Sequence, residues 1–245
     1  MIDLETKDRI LNVLPSSLRR LIDPTSHRID QFAASLSRTI VPASKVLDAG
    51  AGEAPYKKYF SNHSYTAIDT KWGDSNWNYS NLDVVGNLNK LPFSSDTFDG
   101  ILCTQVLEHV NEPFKVIKEF HRVLKPGGML YLSAPQGWGV HQEPHDYFRF
   151  THYGLKHLLG KAGFEIKSTT SSCGYFGYLA NRLTVFPKTL FWQIKKKILR
   201  VILFPLEMLS YVIFVLIFPL ILNRIDFLDR KQDYTLNYMV RAEKK

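Results

Sequence analysis

The run Val46-Leu-Asp-Ala-Gly-Ala-Gly52 constrains this chain more than any other stretch. A short apolar segment that passes straight into two glycines reads as the first strand of an α/β sheet. In such sheets the ligand sits beyond the carboxyl ends of the strands and must approach the backbone of the first turn closely. Glycine permits that approach, because it has no Cβ and tolerates positive φ. The rest of the pattern agrees. Strands are expected at Lys45–Ala49, Tyr65–Asp69, Leu82–Val85, Phe98–Cys103, Met129–Ser133 and Phe164–Thr170, and helices near Pro55–Phe60, Pro113–Leu124 and Tyr153–Ala162. An amphipathic helix at the amino terminus is followed by another, in which Ile29, Phe32, Ala33, Leu36 and Ile40 recur at helical spacing until Pro42 stops them. Short apolar strands alternating with helices specify a doubly wound, mostly parallel α/β sheet. The segment Thr235–Glu243 is expected to return as its last strand.

Charge is unevenly placed. The 245 residues carry a net +8, but residues 182–245 hold +7 of it and residues 1–181 only +1. A basic surface spread over the folded core, as nucleic-acid binding requires, is therefore not expected. The charge instead flanks an apolar run, Val201–Leu222, in which only Pro205, Glu207, Ser210 and Pro219 interrupt apolar or aromatic residues. Lys195, Lys196, Lys197 and Arg200 precede it and Arg224 follows. Such a segment is long enough to cross a bilayer. A single crossing conflicts with a last strand that must rejoin the sheet, however. Three readings stay open: interfacial helices broken at Pro205 and Pro219 with contact to an anionic membrane through residues 195–224, a re-entrant hairpin, or a buried insertion. Basic flanks favour the first. Two cysteines, Cys103 and Cys173, fit a reducing compartment, and the amino terminus shows no secretory h-region. The expected location is cytoplasmic, at the cytoplasmic face of a membrane. The expected organisation is a helical segment over 1–44, the core over 45–173, an apolar helical insertion over 174–233 and a final strand over 234–245.

Five motifs then fall in register: Asp48-Ala-Gly-Ala-Gly52, Asp69 at the end of the second strand, Leu91-Pro-Phe-Ser-Ser-Asp-Thr-Phe-Asp99, Val106-Leu-Glu-His-Val110 and Leu124-Lys-Pro-Gly-Gly128. Together they resemble the class I S-adenosylmethionine-dependent methyltransferases, most of all the small-molecule and lipid-type group, over about half the chain. The resemblance implies a Rossmann-like methyltransferase fold and S-adenosyl-L-methionine as cofactor. It implies that Asp48, Gly50 and Gly52 line the methionine and ribose part of the site and that Asp69 holds the ribose hydroxyls. Leu88 would offer its backbone N–H to the adenine ring, and Gln105 would lie near the sulfonium. Two departures stand out. Asn87 occupies a position that is usually acidic and can accept from the adenine amine only through its amide oxygen. Ala54 or Pro55 stands where a third glycine is common.

Methyl transfer from a sulfonium needs alignment and exclusion of water, and a base only when the acceptor enters protonated. The loop Pro135–Thr151 holds His141, Glu143, His145, Asp146, Tyr147 and Arg149 within nine residues, and a run within it, His145-Asp-Tyr-Phe-Arg-Phe-Thr151, resembles one found in a subset of this family. His145 is the expected general base, Asp146 the residue that orients it, and His141 the second choice. Tyr147 and Arg149 are expected to bind the acceptor, unless Asp146 and Arg149 form an ion pair that only closes the loop. A metal on His141, His145, Glu143 and Asp146 is not expected, since Pro144 interrupts the set. Methyl transfer to a small or lipid-linked acceptor, at oxygen, is the expected function. The alternatives are a non-catalytic cofactor-binding scaffold and a protein or nucleic-acid methyltransferase. Oligomeric state is left open.

Overall fold

A computed structural model describes residues 13–73, 76–191, 193, 194 and 196–245. The expected helix at the extreme amino terminus falls in part, and Lys195 of the basic flank wholly, outside the described residues. The described chain groups into two compact units: Arg28–Ser172 with Leu236–Lys245, and residues up to His27 with Cys173–Thr235.

The larger unit contains a seven-stranded sheet: β1 Lys45–Ala49, β2 Ser64–Asp69, β3 Val84–Val85, β4 Phe98–Thr104, β5 Leu124–Pro135, β6 Phe164–Ser171 and β7 Asn237–Lys244. Their spatial order is β3-β2-β1-β4-β5-β7-β6. Only β7 runs antiparallel, inserted between β5 and β6. Strand periodicity divides the core between the two faces of this sheet. Leu47, Ile101, Cys103, Leu130, Leu132 and Val240 share one buried cluster with Ile117, Phe120 and Leu155. Val46, Leu102, Tyr131 and Met239 share another with Phe32, Ala33 and Leu36. The first cluster draws on α3 (Pro113–Val123) and α4 (His152–Lys161), the second on α2 (Pro24–Thr39). Helices therefore cover both faces, as a doubly wound sheet requires. Pro113 opens α3 at a position where its missing N–H costs nothing. The Thr151 side chain caps α4 by accepting from Gly154 N at 3.1 Å.

Local expectations needed three adjustments in this unit. The helix expected near Pro55–Phe60 is a single 3-10 turn, Lys57–Tyr59. Strand β3 is two residues long and begins at Val84, not Leu82. The Lys125-Pro-Gly-Gly128 segment does not separate helix from strand. It belongs to β5, with Gly127 in the left-handed region and a register irregularity against β4 between Phe98 and Gly100.

In the smaller unit, α1 (Ser16–Ile22) accepts at its carboxyl end from Asn223, whose Nδ2 donates to the carbonyls of Leu21 and Ile22 at 3.1 and 2.9 Å. Helix α5 (Tyr175–Leu183) has its first amides satisfied by carboxylates. Asp226 accepts from Gly174 N and Gly177 N, and Asp229 from Tyr175 N. After α6 (Phe186–Phe191) come α7 (Lys197–Tyr211), a π-turn at Val212–Ile217 and α8 (Phe218–Arg224). The expected breaks at Pro205 and Pro219 are absent. Pro205 lies inside α7, and Pro219 lies in the first turn of α8. The widened turn before Pro219 includes Val215, the residue whose carbonyl the proline ring would otherwise crowd.

Phe120 tests the core assignment, since it is fully buried between α3 and the sheet. Phe120→Ala is expected to lower unfolding stability by about 3–5 kcal/mol, read from the midpoint shift in urea. A loss below about 1 kcal/mol would mean the helix does not pack there.

Candidate active site

The carboxyl ends of β1, β2 and β4 meet where the strand order reverses, the place at which doubly wound sheets bind ligands. A cavity of about 640 Å³ opens there, within the range usual for cofactor and small-molecule sites. Its first wall is the turn after β1. Gly50 and Gly52 have φ of 78° and 55°. A Cβ on Gly50 would meet the Val106 side chain at 2.4 Å, and one on Gly52 would reach the Trp77 ring at 3.1 Å. The amides of Gly50 and Ala51 both donate to Ile68 O, at 2.9 and 3.1 Å, which ties the turn to the end of β2.

Asp69 ends β2 and lines the cavity. One carboxylate oxygen accepts from Gly52 N at 3.0 Å and the other from Lys71 N at 2.7 Å. The group is thus fixed in place, and each oxygen keeps a second lone pair. Asn87 and Leu88 line the same wall. The Asn87 amide oxygen already accepts from Asn89 N at 2.8 Å, so the acceptor expected to face an adenine amine is partly spent. Asn89 also lines the cavity, and its amide oxygen is buried without a partner. Gln105, with φ of 55°, follows β4. Its N and Nε2 donate to Ser133 O and Ser133 Oγ, both at 3.0 Å.

Asp48 departs from expectation. It shares the α2 face of β1 with Val46, is 1% exposed and does not line the cavity. Burial, with the nearby charge of Asp69, raises its carboxyl to about 7, against the lowering effect of a hydrogen bond donated by Tyr65 Oη. Asp48 instead joins β1 to β2 through the Tyr65 hydroxyl, just before the turn.

The opposite wall comes from the loop after β5. His141, His145 and Tyr147 line the cavity. The His145 ring stacks on Trp72 with centroids 5.0 Å apart, and its Nδ1 lies 3.1 Å from Tyr147 Oη. Asp146 does not orient His145. Its carboxylate accepts from Arg149 Nη1 and Nη2 at 2.6 and 2.7 Å and from His141 N at 2.9 Å. The paired guanidinium holds that carboxyl well below the usual range. Arg149 in turn donates to the carbonyls of Trp138, Gly139 and Phe148. Neither Asp146 nor Arg149 lines the cavity, because the two are spent on holding the loop closed.

Two residues emerge that the motif reading did not select for chemistry. Glu108 and His109 sit in a 3-10 turn after β4. Glu108 is fully buried, neither of its side-chain oxygens has a partner, and burial raises its carboxyl to about 8. His109 lines the cavity and is held by the His145 carbonyl, 2.6 Å from its Nδ1. Burial keeps that imidazole below its ordinary pKa. Its ring meets His141 edge to face at 4.7 Å. The acid and histidines brought together are therefore Glu108, His109 and His141, rather than the His141, His145, Glu143 and Asp146 grouping visible in sequence.

A family model described as a methyltransferase domain matches residues 47–132. A demethylmenaquinone methyltransferase of Lysinibacillus sphaericus (strain C3-41) is 32% identical over 45% of this chain and 54% of its own. A ubiquinone/menaquinone biosynthesis C-methyltransferase of Haemophilus ducreyi (strain 35000HP / ATCC 700724) is 29% identical over 59% of each chain. The chain thus spans little more than half the length of these relatives. Among solved structures, a putative sarcosine dimethylglycine methyltransferase from Galdieria sulphuraria shares the fold, with a TM-score of 0.55 at 16% identity over 90% of this chain and 86% of that one. The motifs, the sheet order and these likenesses converge on residues 47–132, which match a methyltransferase domain and are similar to the class I S-adenosylmethionine-dependent methyltransferases.

Proposed function

We propose that this protein transfers a methyl group to oxygen on a small or lipid-linked acceptor, with cofactor and acceptor sharing the cavity between the glycine turn and the histidine loop. The observation that carries this reading is that one cavity is lined by Gly50, Gly52 and Asp69 on one side and by His141, His145 and Tyr147 on the other. The residues fit the cofactor: a cradle that a Cβ would fill, and a carboxylate fixed by two amides with lone pairs to spare. When bound, S-adenosyl-L-methionine supplies an electrophilic methyl group on an already activated leaving group.

Asp69 would hold the ribose hydroxyls, Asn87 and Leu88 the adenine edge, and Gln105 the region of the sulfonium. Asp48 enters only by joining β1 to β2. On the acceptor side, His145 is placed between Trp72 and Tyr147 to take the proton of a hydroxyl. Tyr147 is exposed enough to reach an acceptor. Arg149, with its donors engaged, serves that surface by holding the loop.

The names of the relatives support an acceptor of quinone biosynthesis in its reduced, hydroxyl-bearing form. One of them is described as a C-methyltransferase, which favours ring carbon as the second reading. His145 would then draw the proton from a neighbouring hydroxyl to make the ring carbon nucleophilic, and after transfer the proton on the methylated carbon would pass to that oxygen to restore the ring.

The acceptor's lipid character is also supported by the helical run that follows Val201. It is long and apolar enough to cross a membrane by length and composition, and most of it is exposed. Ile198, Val201 and Ile202 are each more than three-fifths exposed. Because β6 and β7 belong to one sheet, the intervening chain cannot cross a bilayer once. We read this face as lying in the interface of an anionic membrane, at its cytoplasmic side, with the basic flanks on lipid phosphates.

Three outcomes follow. Asp69→Ala should weaken S-adenosylhomocysteine binding by about 1.5–3 kcal/mol, measured by calorimetry with an unchanged melting temperature as control; unaltered affinity would place the ribose elsewhere. His145→Ala should lower turnover on hydroxylated prenyl quinols by about 10²–10⁴-fold while cofactor affinity stays the same. Equal loss in both would make His145 structural, and no turnover by the wild-type protein on any acceptor would favour the scaffold reading. Flotation with vesicles containing phosphatidylserine should carry the protein upward, less so in high salt. A protein that stays at the bottom of the gradient with both anionic and neutral vesicles would contradict the membrane reading.

A further inference from the structure

Glu108, His109 and His141 present an arrangement that the methyl-transfer reading leaves unexplained. One ligand-capable atom from each lies within 4.8 Å of the other two. Two of the prospective donors are imidazole nitrogens, and the third is a carboxyl group without a hydrogen-bond partner. The His109 Nδ1–H donates to the His145 carbonyl at 2.6 Å, which leaves Nε2 as a lone pair, 3.7 Å from Glu108 Oε1. His141 Nδ1 faces the Gly139 carbonyl at 3.1 Å and Asp146 Oδ2 at 3.4 Å, and so leaves its own Nε2 as a lone pair. The Glu108 carboxyl is fully buried and neither oxygen has a partner. A fully buried carboxyl group that no hydrogen bond satisfies, beside two imidazole nitrogens, is a costly arrangement unless a ligand sits among them.

We propose that Glu108, His109 and His141 bind one first-row divalent cation, of the zinc or manganese kind, at the acceptor end of the cavity. Two imidazoles and one carboxylate suit such ions and not calcium, which takes six to eight oxygens. The supporting contacts are of the kind that ligating histidines make. Each ring's other nitrogen is held by a backbone carbonyl, and the Asp146 carboxylate stands behind His141. Three protein ligands leave coordination positions open. Since His109 and His141 line the cavity, those positions open onto it, where a hydroxyl or enolate oxygen of an acceptor would complete the sphere. That last role rests on the proposed methyl transfer. The binding of the cation does not.

The test is calorimetric titration of chelator-treated full-length protein with Zn²⁺ and, separately, with Mn²⁺. The wild-type protein, Glu108→Gln, His141→Ala and the control His157→Ala, an exposed histidine on α4, are compared, and each is also titrated with S-adenosylhomocysteine. One saturable cation site is expected in wild type and control. In the two site variants it should weaken by more than about 100-fold, beyond the 10–100-fold typical of residues that only support a ligand. Retained S-adenosylhomocysteine binding in those variants shows that they are folded, and it tests the cofactor reading separately. If neither ion binds the wild type at one saturable site, the proposal is overturned. It is equally overturned if folded site variants bind as tightly as the control. Should Glu108→Gln fail to fold, His141→Ala decides alone.

Discussion

The left-handed turn from Gly50 to Gly52, pressed against Val106, is the constraint on which the site depends. With a Cβ at Gly50 the turn and the first residue of the Val106–Val110 segment would overlap, at 2.4 Å. Bare backbone is what lets the ends of β1 and β4 close on each other at the reversal of strand order. The amides of the same turn then reach the end of β2, where Gly52 N fixes one oxygen of Asp69. Buried alternation on both faces of β1 anchors the turn from below, with Leu47 in one core cluster and Val46 in the other.

The opposite wall is held by polar contacts instead of packing. A two-pronged Asp146–Arg149 pair, with three carbonyls bound to the same guanidinium, braces the loop after β5. Glu108 joins the two walls, because its carbonyl accepts from Tyr147 N at 2.8 Å. The turn after β4 and the histidine loop are thereby one structural piece, which brings His109 beside both His141 and His145. Rigid elements hold the cofactor side, and a clamped loop shapes the acceptor side.

The parts legible in sequence are those whose signal is local. Strand β1, the glycine turn and Asp69 each depend on residues within a few positions of one another, and the structure places each where the pattern does. The 3-10 turn at Lys57–Tyr59 reads as a longer helix in sequence because Pro55 and the aromatic spacing imitate a helix start. Pro205 misled in the other direction, since a continuous run of apolar helix formers carries the helix past it. Asp48 read as a site residue because it sits inside the motif, but strand alternation points it to the α2 face. The role of Asp146 turned on whether its partner was His145 or Arg149, and adjacency in sequence does not distinguish them. The grouping of Glu108 and His109 with His141 joins positions more than thirty residues apart. The one signal was an acid and a histidine together directly after β4, where the cavity forms.

Hydrogen–deuterium exchange with and without S-adenosylhomocysteine tests the central claim most directly, because it reads every wall of the cavity at once. The account predicts slowed exchange in the amides of segments 50–53, 69–73, 87–89 and 104–111, which contain the residues that line the cavity beside the glycine turn. Unchanged exchange across all four segments at saturating ligand, or protection confined to other parts of the chain, would contradict it.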